Sequence, residues 1–265
     1  MTNFICVTCG SQFAETEEPP RHCPVCEDAR QYVRWGGQRW TMLDELRREH
    51  RAEIREEEPG LVGIGSEPSF AIGQRALLVR APEGNVLWDC ISLLDDEIGA
   101  YVESAGGLAA IAVSHPHYYS SMVEWSRAFG APVLLHADDR EWVMRPDDAI
   151  ELWNGETREL QAGLTLVRGG GHFAGGTVLH WAASRLLLSG DIVQVVQDRR
   201  WVSFMYSYPN LIPLAAGDIR RIVAALEPYE FDRIYGAWWD RVVAEDGKAV
   251  VRRSADRYLR AIGAS

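Results

Sequence analysis

Ile111-Ala112-Val113-Ser114-His115-Pro116-His117-Tyr118-Tyr119-Ser120-Ser121 is the stretch whose reading decides the fold. The apolar run over 108–113 has the length and composition of a buried strand, and two histidines follow it one residue apart. In an extended segment residues i and i+2 project to the same side, so both imidazoles are expected to reach one metal ion. Residues 169–176 read G-G-G-H-F-A-G-G around His172, and residues 186–191 read L-L-L-S-G-D, ending on Asp191. Three imidazoles and a carboxylate at strand ends make a donor set for one metal.

A second set of ligands lies at the start of the chain. Cys6-x-x-Cys9 and Cys23-x-x-Cys26 offer four thiolates in two knuckles, each bracketing a tight turn. Gly10 after the first pair and Pro24 inside the second suit such turns. The two pairs are expected to close a tetrahedral site for a structural zinc, in a module over residues 1–40 that depends on its metal to fold. The pattern resembles zinc ribbons and rubredoxin-like knuckles. The segment between the pairs is shorter than in a rubredoxin, which favours zinc over an electron-transfer iron. His22 beside Cys23 reads as a bystander, because four sulfurs suffice.

At 265 residues the chain can bury a sizeable core. A formal charge of −11 argues against nucleic acid or an anionic membrane as a general partner. No run approaches the roughly 20 apolar residues that span a bilayer, and the start lacks the pattern of a secretory signal. The expected location is the cytoplasm, where thiols stay reduced and cysteine pairs point to metal.

Residues 41–60 read as an exposed helical linker, with Thr41 as N-cap and Pro59-Gly60 as its stop. Beyond residue 61 strands alternate with helices, and hairpins are expected at 76–89 and 178–189. Helices are expected at 96–105, 121–129 and 215–226, and a short strand at 233–235. The pattern predicts an α/β (α+β) chain of two mixed sheets packed face to face with helices outside.

In these residues the chain resembles the metallo-β-lactamase superfamily, over roughly 68–239. The anchors are V-L-W-D-C closing the first hairpin, A-V-S-H-P-H, G-G-G-H and L-L-L-S-G-D-I. The resemblance implies a four-layer αβ/βα sandwich over 61–265, carrying the small N-terminal zinc-ribbon module. It implies that His115, His117, His172 and Asp191 are metal ligands and that Asp89 supports the metal-binding loop from behind. The family motif H-x-H-x-D-H places Tyr119 and Ser120 where an aspartate and a histidine would stand. The late strand runs R-I-Y-G-A-W-W-D, so 237–239 hold no histidine. One metal position is therefore expected, filled by one zinc or iron ion.

Residues 197–210, Q-D-R-R-W-V-S-F-M-Y-S-Y-P-N, follow the Asp191 strand and are rich in large rings. Trp201, Phe204 and Tyr206, with Tyr118, Trp238 and Trp239, are expected to wall a pocket for a small hydrophobic substrate. The same rings can instead fill the volume of a lost second metal. The expected activity is hydrolysis of an ester, thioester or amide, with Asp191 as ligand or proton acceptor and Tyr119 donating to an oxyanion. Two other readings stand beside it: a non-catalytic ligand sensor or scaffold, and an iron redox protein. A protein partner held through the zinc module and a homodimer are compatible with this sequence.

Overall fold

The computed structural model describes residues 1–264, which divide by their contacts into two compact units. The first comprises Met1–Leu135 and Arg140–Leu152, the second His136–Asp139 and the described residues from Trp153 onward.

The first unit begins with the cysteine segment. A two-stranded ribbon joins β1 (Ile5–Cys6) to β2 (Trp40–Thr41), with the short helix α1 (Pro24–Glu27) between them. Helix α2 (Leu43–Glu49) follows and buries Leu46. A seven-stranded sheet then runs in sequential order: β3 (Arg51–Glu58), β4 (Leu61–Glu67), β5 (Ala76–Val79), β6 (Val86–Trp88), β7 (Ala110–Ala112), β8 (Val133–His136) and β9 (Ile150–Trp153). The first four strands are antiparallel, whereas β6–β7 and β7–β8 are parallel. The parallel connections are made by α3 (Asp96–Ser104) and α4 (Met122–Phe129), as the geometry of a crossover requires. Helix α3 is capped by Asp95, whose carboxylate accepts the Ile98 N–H at 2.9 Å.

The helical linker over 41–60 is corrected here. The helix ends at Glu49, and Arg51–Glu58 is a strand paired with β4, Ile54 opposite Ile64. Residues 61–65 of β4 are buried, and their main-chain groups need a partner on the outer side. Sheet pairing overrides the helical propensity of the glutamates and arginines. Their charges instead suit an edge strand, where they discourage pairing with another chain.

The second unit is built on a six-stranded mixed sheet. Its strands are β10 (Thr157–Gln161), β11 (Leu164–Arg168), β12 (Thr177–Trp181) and β13 (Leu186–Gly190), then β18 (Arg233–Gly236) and β19 (Val242–Val243). The shorter strands β14 (Gln194–Val195), β15 (Val202–Ser203), β16 (Met205–Ser207) and β17 (Ile212–Pro213) form two small ribbons. The step from β13 to β18 is parallel and passes through α5 (Ala216–Leu226). Helix α6 (Gly247–Ala261) was not foreseen: its apolar face, Val250, Val251 and Ala255 with the partly buried Tyr258 and Leu259, is set among arginines. Phe204, Ile219, Ile222, Phe231 and Ile234 centre the apolar core of this unit. Among the described residues no helix is long and apolar enough to cross a membrane.

Candidate metal centres

The four cysteine thiols are buried and clustered, and none forms a disulfide. The first knuckle is closed by Gly10 N–H donating to Cys6 O at 2.8 Å and Cys6 N–H to Ser11 O at 3.0 Å. The second is closed by Cys26 N–H to Cys23 O at 2.9 Å, with Pro24 opening the helical turn. Cys6 Sγ lies 3.5 Å from Cys26 Sγ, and Cys9 Sγ 3.6 Å from Cys23 Sγ. A tetrahedron of thiolates with metal–sulfur bonds of about 2.3 Å has edges of about 3.8 Å, so the sulfurs fit one ion with little adjustment. Crowding splits the thiols: Cys23, Cys26 and Cys9 hold the Cys6 thiol far below its usual range, while hydrogen bonding with Cys23 and Cys6 holds Cys9 and Cys26 well above theirs. The Gln38 amide adds a donor 2.9 Å from Cys6 Sγ. His22 stands apart, exposed and paired with Glu27.

The histidine loop follows β7. Asp89 Oδ1 accepts the Ser114 N–H at 2.7 Å, and His115 then continues in fully extended backbone, φ −172° and ψ 173°. Pro116–Tyr118 is a single 3-10 turn, so His117 is not on an extended segment as the spacing predicts. The turn brings the two rings together, centroids 5.2 Å apart. Ser114 Oγ lies 2.9 Å from His115 Nδ1, which orients the ring and leaves Nε2 as the nitrogen suited to a metal. His115 and His117 are 1% and 3% exposed. Asp89 is equally buried, and burial raises its carboxyl to about 7.

His172 is presented by the glycine run after β11. Gly170 and Gly171 have φ of 68° and 83°, a region that side chains rarely adopt. The Gly169 and Gly170 amides both donate to Gly176 O, closing the loop. His172 Nδ1 lies 3.2 Å from the Met205 carbonyl, the outer hydrogen bond expected of a ligating imidazole. Asp191 follows β13 and is 3% exposed; the Tyr208 hydroxyl donates to its main-chain carbonyl at 2.7 Å.

One ligand atom from each of His115, His117, His172 and Asp191 lies within 4.8 Å of the others. Three neutral imidazoles and one carboxylate suit a zinc or iron ion. The protein thus carries two potential metal sites, the four cysteines and this His₃Asp group.

The rings assigned to a substrate wall are placed differently from one another. Phe204 is fully buried in the core of the second unit, edge-on to Tyr258, and is corrected from wall to core. The inward alternation of this segment leaves its ring no route outward. Trp201 lies under two guanidinium groups, Arg257 at 3.7 Å and Arg253 at 5.6 Å. Tyr206, Trp238 and Trp239 are half-buried. Tyr118 is fully buried against His115, centroids 4.5 Å apart. Tyr119 is 4% exposed and lines a small void with Ser11, Gln12 and Met122. Ser114 and Gln38 were missed, and Met205 and Tyr208, large residues of the segment expected to wall the pocket, instead support the site through a main-chain carbonyl and a hydroxyl. They act largely through main-chain atoms or single hydrogen bonds, for which a sequence has no signature.

No protein-family model matches the chain. The uncharacterized protein YmaE of Bacillus subtilis is 49% identical over 268 residues, covering 99% of this chain and 97% of that protein. The chain belongs to the YmaE family. Solved structures identify the fold of this family member. The metallo-β-lactamase TMB-1 superposes with a TM-score of 0.61 at 14% identity, covering 80% of this chain and 98% of the other. The mono-zinc form of the metallo-β-lactamase FIM-1 from Pseudomonas aeruginosa gives 0.59 at 13% identity, with 78% and 95% covered. VMB-1 gives 0.61 at 12% identity, with 80% and 98% covered. The YmaE-family chain therefore has the metallo-β-lactamase αβ/βα fold. Its chemistry has to be argued from its own residues.

Proposed function

We propose that this chain is a metal-dependent hydrolase with one ion held by His115, His117, His172 and Asp191. The observation that carries the reading is the mutual 4.8 Å spacing of four buried ligand atoms, with His115 and His172 each oriented through Nδ1. An ion in such a site polarises a carbonyl and lowers the pKa of a bound water to roughly 7. The chain's own residues supply the rest. Ser114 and the Met205 carbonyl fix two imidazoles, and Asp191 ligates or accepts a proton. Tyr119 and Ser120 stand where a second ion's ligands would be in the metallo-β-lactamase superfamily, so we read the centre as mononuclear.

The substrate class is an ester, thioester or amide of a small hydrophobic molecule, with Tyr206, Trp238 and Trp239 as the partly exposed rings nearest that role. The four cysteines form a zinc ribbon, which offers a surface to a protein partner. Five free cysteines favour the cytoplasm.

Elemental analysis of purified protein, paired with an ester, thioester and amide panel, tests this reading. Two ions per chain are expected, with hydrolysis that His115→Ala and His172→Ala abolish while removing one ion. Two ions and no turnover on any substrate would favour the ligand-sensing reading. Iron with thiolate colour would favour the redox reading.

A further inference from the structure

Residues that closely follow Cys9 bond to Ser92 and to the segment just after the histidine loop. Ser92 Oγ donates to Gly10 O at 2.8 Å, and the Gln12 N–H donates to Ser120 O at 3.0 Å. Ser120 lies three residues after His117 and is itself tied down: its hydroxyl donates to Cys90 O at 3.2 Å and accepts from the Gln74 amide at 3.1 Å. Its backbone is left-handed, φ 44°, a conformation a serine keeps only when its surroundings demand it. Farther along, the guanidinium of Arg145 donates to both the Gln12 amide oxygen and the Glu124 carboxylate. The void along this seam is only about 10 Å³, no more than a single water needs.

Gly10 is the closest point of the contact. Its φ is 84°, and a Cβ there would lie 2.8 Å from Ser92 Oγ and 3.2 Å from Ala71 Cβ. A side chain at residue 10 therefore has to displace the Ser92 hydroxyl, which bonds to the Gly10 carbonyl.

We propose that Gly10 and Gln12 are positioning residues for the histidine site: an ion bound by the four cysteines holds the knuckle, and the knuckle holds Ser92 and Ser120 and so the turn carrying His115 and His117. Without that ion the knuckle has only its hydrogen bonds to define it, and the turn loses one wall. The cysteine module is then a part of the histidine centre, and loss of its ion weakens that centre without removing any of His115, His117, His172 or Asp191. The inference rests on the reading of the His₃Asp group as a metal site.

The test uses the full-length protein and cobalt alone as probe, because thiolate charge-transfer bands report the cysteine site and d–d bands without them the histidine site. Gly10→Ala keeps all eight ligands. It is expected to weaken cobalt binding at the histidine site about tenfold, with the thiolate band at full intensity and the far-UV spectrum unchanged. Cys9→Ser is expected to do the same with the thiolate band lost. Amide hydrogen exchange over 114–121 supplies a readout independent of any ion at the histidines, and it is expected to accelerate in both variants. Wild-type exchange over that segment in folded Gly10→Ala would overturn the proposal, as would unchanged cobalt affinity at the histidines. Should Cys9→Ser fail to fold, Gly10→Ala alone decides. No cobalt at the histidines of the wild type would sink the metal-site reading instead, and the exchange rates would still judge the coupling.

Discussion

The carboxylate of Asp89 and the main-chain amide of Ser114 form a buried hydrogen bond of 2.7 Å, one residue before His115. Asp89 sits at φ 61°, where its own amide donates to Ala112 O at 2.8 Å, so the end of β6 is bound to the end of β7 on both sides. Removing this acceptor orphans a buried donor. Asp89→Ala is expected to cost about 1–3 kcal/mol in urea unfolding, whereas Asp89→Asn, which keeps an acceptor oxygen, should cost less. Equal losses in the two variants would show that the charge rather than the hydrogen bond matters.

The rings of Trp40, Trp142 and Phe13 pack on the cysteine cluster. Stripping the metal should loosen that cluster, because a site this small has little other core. Cys23→Ser is expected to lower the metal content by one ion per chain and to shift tryptophan emission to longer wavelength. Cys90→Ala, at a buried thiol outside the cluster, should change neither.

Acid should destabilise the second unit through its buried histidines. His180 donates from Nε2 to Glu230 O at 3.0 Å and stacks near Tyr229, and burial lowers its pKa from 6.5. The nearby Arg185 guanidinium lowers it further, and the Glu230 carboxylate opposes that. A depressed folded-state pKa means that the unfolded chain binds protons first, so stability present above pH 6.5 is lost as the pH falls. His136 is lowered by burial too and adds to the loss. His180→Gln keeps a donor and removes the titration, and its urea midpoint is expected to fall less than that of the wild type between pH 7 and about pH 5. Parallel curves would remove His180 as a cause.

Phe231 is 1% exposed in the core of the second unit. Phe231→Ala should cost about 3–5 kcal/mol by chemical denaturation, the usual penalty for a large ring lost from a packed core. A loss below about 1 kcal/mol would mean that the neighbouring helices collapse into the space.

Much of the site is legible because metal ligation demands particular residue types at short spacing. Cys6-x-x-Cys9, Cys23-x-x-Cys26 and His115-x-His117 each announce themselves locally, and both hairpins appear where the alternation of apolar residues places them. The segment 51–58 was not legible, because its glutamates favour a helix in isolation and become a strand only when β4 presents an open edge. Phe204 was misread for a related reason: an aromatic-rich loop has the same composition whether its rings face a ligand or a core.

By itself the sequence determined the candidate ligands, the two hairpins and the glycines around His172, since each follows from residue chemistry or backbone freedom within a few positions. Only the tertiary structure decided that His117 arrives on a 3-10 turn, that Ser114 and the Met205 carbonyl aim the imidazoles, and that the cysteine knuckle abuts Ser120. The turn and the Ser114 contact are local but have no residue-type signature, whereas His172 and Met205 are 33 positions apart and Gln12 and Ser120 more than 100, so their pairing depends on packing rather than on any local pattern.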